Sequence, residues 1–400
     1  MVIRLSCVRL IGAFGVLLGL LLVSCTGNRE AETAIKVGLI APLSGYLAPS
    51  GEAIQRGMLL AIDEVNRGGG VLGRPLALVV DDVENDPLAG VAALQELVQR
   101  DRIVAVFTGT FSPVILAQLE LIHERQIPLI SPLGSVTTIT ENGRVPNYAF
   151  RTAMCDEYAN EFMVRYTLEV VDARRPGIIA DTTAWGNSNV DGLSYWLDRL
   201  ARPAASIERF GQGETSMRPQ LMRLRAAGAD ALILVANAPE AAAIIRGMVT
   251  LGWKVPVVSH SGTSIGRFVE LAGTANTDGV LTLQTFSFFG PLSPKADAVL
   301  HAYHTRFGTR RVEEIRVPIA VASSYDGIHL LARAIGQAGT TEGPRVRTAL
   351  EQLEPYDGLM KRYAPAFTSE RHDALLTEDY LMAVWQGGRL IPASQPRLQR

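Results

Sequence analysis

From Ala34 onward, β-branched apolar runs alternate with longer amphipathic segments, and this alternation restricts the fold more than any other feature of the chain. Strands separated by helix-length segments pair in parallel, because the crossover needs a dozen residues or more. The first run is IKVGLIAPL. In the segment after it Ile54, Met58, Ala61, Ile62 and Val65 recur at helical spacing, and the glycines after Arg67 end the helix. PLALVVDD is the second strand, and Asn85 or Asp86 caps the next helix with Pro87 in its first turn. IVAVFTG and PLISPL are the third and fourth strands. The pattern restarts near Arg151 and continues through RPGIIAD, ASIERF, DALILVAN and KVPVVSHSG, while LTEDYLMAVWQGGRLI near the end predicts strand, Gly-Gly turn and strand. At 400 residues the chain exceeds what one core usually serves, so two similar halves are expected.

A formal net charge of -2, with no Lys/Arg cluster beside aromatic residues, argues against nucleic-acid binding. At the N-terminus Arg4 and Arg9 precede an apolar run from Leu10 to Val23 that is too short for a comfortable membrane span and reads as a signal peptide over residues 1–24. The run ends in LVSC, which resembles the lipobox of bacterial lipoproteins and implies lipidation at Cys25 and an extracytoplasmic, membrane-anchored protein. Residues 25–34 are a polar tether. With Cys7 in the signal and Cys25 lipidated, Cys155 has no partner, so no disulfide is expected in the mature chain and no cysteine metal site is apparent.

Several motifs carry possible chemistry. GTSIG, residues 262–266, matches the nucleophile elbow of serine hydrolases with Ser264 as nucleophile, but HSG separates the serine from its strand. Asp81, Asp82, Glu84 and Asp86 lack the glycine and distal glutamate of a calcium loop and fit a strand end with a helix cap. His301 and His304 share a helix face without a third metal ligand. GGGVLG follows a helix, not a strand, which is the wrong context for a phosphate loop. Two loops remain: FTGTFSP after the third strand and ISPLGS after the fourth. In a doubly wound sheet both open into one crevice, with Ser112 at a helix N-terminus suited to an anion and Ser135 facing it.

Taken in order, PLSG, the helix and turn ending in VNRGG, DD with DP, ISPLGS, the FRT segment with Asp156, AWG at Trp185, and SSYDG resemble the branched-chain amino acid binding proteins of ABC importers. The resemblance runs from Ile35 to Ile391. It implies the type I periplasmic binding-protein fold: two doubly wound α/β lobes, residues 35–153 with 285–358 and residues 154–284 with 359–396, joined by crossover strands. It further implies that Ser112 and Ser135 hold a ligand carboxylate, that the Leu133 carbonyl receives an ammonium, and that Trp185 covers the ligand. The family's neutralising acid falls where this chain has Ser261; either Asp156 or Asp181 substitutes, or the ligand carries no ammonium. The expectation is a lipid-anchored solute-binding protein, without cofactor or catalytic residues, delivering a small carboxylate to an ABC permease and ATPase complex. A ligand sensor of the same fold is the alternative, and a hydrolase using Ser264 the remote one.

Overall fold

The computed structural model describes residues 34–398, so the expectations for the signal peptide, Cys25 and nearly all of the tether lie outside the described residues. Five parallel strands form the first sheet: β1 (Ile35–Ala41), β2 (Leu76–Asp82), β3 (Ala105–Thr108), β4 (Leu129–Ser131) and β5 (Ala149–Arg151), in the order β2-β1-β3-β4-β5. The second sheet contains β6 (Pro176–Asp181), β7 (Ile207–Phe210), β8 (Ala231–Val235), β9 (Val257–Ser259) and β10 (Leu281–Gln284), which are parallel and ordered β7-β6-β8-β9-β10. Counted from its own first strand, each sheet therefore has the same order. The two halves are repeats of one doubly wound topology, and in each the direction of winding reverses beside its first strand. A short antiparallel pair, β11 (Tyr356–Asp357) with β12 (Arg362–Tyr363), lies outside both sheets.

The C-terminal hairpin of β13 (Leu381–Gln386) and β14 (Arg389–Pro392) adds antiparallel to β10 and covers that edge of the second sheet. Its two-residue turn is Gly387-Gly388 with φ of 55° and 76°, left-handed backbone that glycine adopts without a Cβ penalty. The first sheet is covered by the long helices Ala48–Arg67 and Pro318–Ala338, which approach so closely that a Cβ on Gly57 would lie 2.2 Å from the Ser324 hydroxyl. Among the described residues no helix is long and apolar enough to cross a membrane.

The chain passes between the sheets three times: after β5, after β10 and before β13. The first and third passages are bound to each other. Arg151, at the end of β5, is fully buried; its Nε donates to Asp373 Oδ1 at 2.5 Å, Nη1 to the Val136 carbonyl at 2.8 Å, and Nη2 to Thr140 Oγ1 and Cys155 Sγ. Burial acts against the charged guanidinium, but the Asp373 carboxylate more than offsets it and raises the Arg151 pKa. Tyr380 adds a further tie by accepting the Cys155 N–H at 2.8 Å. The FRT segment thus works as a fastener for the passages between sheets.

Candidate functional site

The carboxyl ends of β1, β3 and β4 in one sheet and of β6, β8 and β9 in the other converge on a cavity of about 40 Å³. Ser112 begins the helix Ser112–Arg125 and is 5 % exposed, and the residue before it caps that helix without a side-chain bond. Pro113 has no N–H, and the Val114 N–H turns to the Phe111 carbonyl, so the Ser112 hydroxyl is the side-chain donor at the positive end of the helix. Ser135 lies on the neighbouring loop, after β4, which is held from several sides. Ser131 Oγ donates to the Gly134 carbonyl at 3.2 Å, Ser323 Oγ to the Pro132 carbonyl, and the Asp156 N–H to the Ser135 carbonyl at 2.7 Å. Gly134 packs closely here: a Cβ would lie 2.2 Å from Ile115 Cδ1, so that side chain would have to move aside for a larger residue. Both Ser112 and Ser135 line the cavity, and neither hydroxyl has a hydrogen-bond partner among the described residues. Leu133 lines the same wall.

Trp185, Asn237, His260 and Ser261 form the facing wall. Trp185 sits in the first turn of the helix Ala184–Arg199, launched by a turn in which Asp181 Oδ1 accepts the Thr183 N–H at 2.9 Å and its hydroxyl at 2.6 Å. Burial pushes the Asp181 carboxyl up, with the Thr183 hydrogen bonds opposing. Asp181 does not line the cavity; it positions the residue that does. The indole stands edge-on to the His260 ring, 5.1 Å between centroids. Gly262 gives it room, since a Cβ there would lie 3.1 Å from the indole Cη2 and 2.2 Å from the Ala236 carbonyl oxygen.

His260 was not singled out by the sequence, because a histidine between a short strand and a turn has no periodic signal. Its Nδ1 accepts the Ser261 N–H at 2.8 Å and lies 3.1 Å from Ser261 Oγ. That acceptor role puts the proton of a neutral ring on Nε2, which faces Asp156 Oδ1 at 3.4 Å. Asp156 is fully buried, and neither of its oxygens has a hydrogen-bond partner among the described residues. It stands behind His260 and not on the cavity wall, so the imidazole intervenes between the carboxylate and the cavity.

The other motifs resolve into structural work. Ser264 lies in the 3-10 turn Ser261–Ser264, donates to the Ser261 carbonyl at 2.7 Å and accepts from Gln284 Nε2 at 3.0 Å. The nearby imidazole is turned to Ser261 and Asp156, which leaves Ser264 without a base. Asp82 accepts the backbone N–H groups of Leu43 and Glu84, and Asp86 caps the next helix through the Leu88 N–H. In SSYDG, Asp326 accepts the Leu359 and Met360 N–H groups and the Tyr363 hydroxyl.

The periplasmic binding protein family profile matches residues 34–389. A curated relative, the Leu/Ile/Val-binding protein BraC3 of Rhizobium johnstonii, is 23% identical over 91% of this chain and 95% of that one. Among solved structures, the branched-chain amino acid transporter substrate-binding protein LivJ of Streptococcus pneumoniae in complex with isoleucine has a TM-score of 0.77 at 22% identity, covering 92% of this chain and 99% of that one. A solute-binding protein of an R. palustris ABC transporter in complex with 4-hydroxybenzoate has a TM-score of 0.76 at 19% identity, covering 90% and 95%. Members of this family are extracytoplasmic solute-binding proteins and not enzymes, which removes the hydrolase reading of Ser264. With nearly its whole described length matched and two sheets of repeated topology facing across a cleft, the chain belongs to the periplasmic binding protein family.

Proposed function

We propose that this chain captures a small carboxylate-bearing molecule between its two lobes, residues 35–153 with 285–358 and 154–284 with 359–396, and presents it to an ABC importer from a lipid anchor at Cys25. The observation that carries the reading is the pair of unpartnered hydroxyls on buried residues lining the cavity, Ser112 at a helix N-terminus and Ser135 on the neighbouring loop. Polar groups lacking partners in the protein are suited to partners in a ligand, and a hydroxyl at the positive end of a helix, joined by a second on the neighbouring loop, suits an anion.

The opposite end of the ligand meets an indole edge, an imidazole and the Ser261 hydroxyl, not a carboxylate. A buried ammonium without a direct counter-charge is strongly disfavoured. We therefore assign the ligand a neutral distal end, as in an aromatic acid or an amide-bearing acid. Relatives of the same fold bound to isoleucine and to 4-hydroxybenzoate support the view that this architecture admits either chemistry. At about 40 Å³ the cavity is far smaller than the ~300 Å³ at the lower end of small-molecule pockets. Ligand entry thus requires the sheets to part and close again, and closure follows from contacts that both walls make at once.

Calorimetry with benzoate, 4-hydroxybenzoate, leucine, isoleucine and valine tests the reading. An aromatic acid is expected to bind more tightly than any of the three amino acids. Submicromolar leucine binding would contradict the neutral distal end, and Asp156→Asn would then show whether the carboxylate behind His260 serves the ammonium.

A further inference from the structure

The wall that faces Ser112 and Ser135 has a polarity of its own. Asn237 stands just past β8, as the residue before the helix Ala238–Thr250. An asparagine there ordinarily accepts an N–H from the second or third helical residue. Here the second is Pro239, which has no N–H, and no side-chain cap bond forms. The Asn237 side chain is half-buried and lines the cavity, and neither atom of its amide has a hydrogen-bond partner among the described residues. The unpartnered amide atoms of Asn160 and Asn189 are enclosed by protein; those of Asn237 are not.

Ser261 lines the same wall. Its backbone N–H donates to His260 Nδ1 at 2.8 Å, and a backbone N–H can only donate, so Nδ1 is an acceptor. The Ser261 hydroxyl lies 3.1 Å from that nitrogen and therefore commits its one proton there, in a three-centre bond shared with the N–H. What it can offer a ligand is a lone pair. The Ser112 and Ser135 hydroxyls have no such tie and keep their protons for an acceptor. One wall of the crevice thus presents donors, and the facing wall presents an acceptor beside an amide that both accepts and donates. No Asp, Glu, Lys or Arg lines the cavity, so the group that meets the facing wall has no counter-ion and is uncharged.

We propose that Asn237 and Ser261 are the specificity-determining residues of this site, and that they select a carboxylate whose far end is an uncharged hydrogen-bond donor, a hydroxyl or a primary amide. Such a group donates to Ser261 Oγ or Asn237 Oδ1 and accepts from Asn237 Nδ2. An alkyl or halogen end gives these acceptors nothing and leaves them unpaired once the lobes close, which is how a site built to bond an O–H or N–H rejects the analogue lacking it. The inference rests on the carboxylate reading of Ser112 and Ser135 and narrows the neutral far end to a donor.

Calorimetry with matched acids that differ only at the far end provides the test: 4-hydroxybenzoate against 4-fluorobenzoate, and succinamate against levulinate, in which a methyl replaces the amide nitrogen. In at least one pair the donor-bearing acid is expected to bind about tenfold more tightly than its partner, the value of one hydrogen bond to an otherwise unpaired acceptor. Ser261→Ala and Asn237→Ala should each shrink that ratio by weakening the donor-bearing acid and leaving its partner unchanged, whereas a general loss of packing would weaken both acids alike. Should one variant fail to fold, as judged by a thermal melt, the other decides. Equal affinities within every pair that binds, or a preference undiminished in the folded variants, overturns the donor assignment and leaves the carboxylate reading standing. Failure of all four acids to bind at millimolar concentration overturns the carboxylate reading, and this inference with it.

Discussion

Asp373→Ala removes the carboxylate from the network that fastens the first and third passages between sheets. The guanidinium of Arg151 would remain fully buried with bonds to the Val136 carbonyl, Thr140 Oγ1 and Cys155 Sγ, but without the anion 2.5 Å from its Nε. Thr140 Oγ1 also loses its 3.0 Å contact to Asp373 Oδ2. Removing one member of such a buried pair costs ~3–5 kcal/mol, mostly because the remaining charge stays desolvated and uncompensated. At roughly 2.1 cal/mol/K of unfolding entropy per residue, a folded body of this size should lose ~4–7 °C in its midpoint. Denaturant unfolding followed by circular dichroism measures the free energy, and a thermal melt gives the shift. The double variant Arg151→Met/Asp373→Leu should be less destabilised than Asp373→Ala alone, because it strands no charge. A loss below ~1 kcal/mol for Asp373→Ala, or a double variant worse than the single, would refute the reasoning.

Other outcomes follow from the same structure. Gly262→Ala should weaken ligand binding and cost ~1–3 kcal/mol in stability, since the added methyl meets the Ala236 carbonyl and the Trp185 indole; calorimetry and a melt read both. The His329 imidazole and then the Tyr325 hydroxyl hold the Glu64 carboxyl down at about 2, from an ordinary 4.5. A depressed carboxyl pKa contributes stability above pH 4.5 that is lost as pH falls toward 2, so Glu64→Gln should be less stable than wild type at neutral pH and converge with it near pH 2 in acid unfolding curves. Cys25→Ser should leave the washed membrane fraction, and its retention there on an immunoblot would contradict lipidation.

Much of the fold was legible because parallel βα units write themselves as contiguous patterns: the strand runs, the glycine stop after Arg67, the Asp86 cap and the Gly387-Gly388 turn all act within a few residues. The three-residue strand Ala149–Arg151 was not legible, since AFR is too short to show a period and is defined by its pairing with β4. The same limit governs the site. Ser112 and Ser135 could be brought together from the doubly wound pattern, which sends the carboxyl ends of neighbouring strands to one crevice. Asp156 and Asp181 could not be told apart, because their difference is three-dimensional: one faces His260 and the other holds the Thr183 turn. His260 itself acquires meaning only from a carboxylate contributed by a distant helix, and the repeated strand order of the second sheet is a fact of pairing that no local window contains.

The central claim is that the crevice holds a carboxylate on Ser112 and Ser135, and calorimetry on the two single alanine variants tests it most directly. The probe is whichever of benzoate, 4-hydroxybenzoate and leucine binds the wild type best. Each hydroxyl supplies a hydrogen bond to a charged group worth ~1.5–3 kcal/mol, so each variant should bind at least about tenfold more weakly, with an unchanged melting temperature in the absence of ligand. Affinity unchanged in both variants would contradict the account.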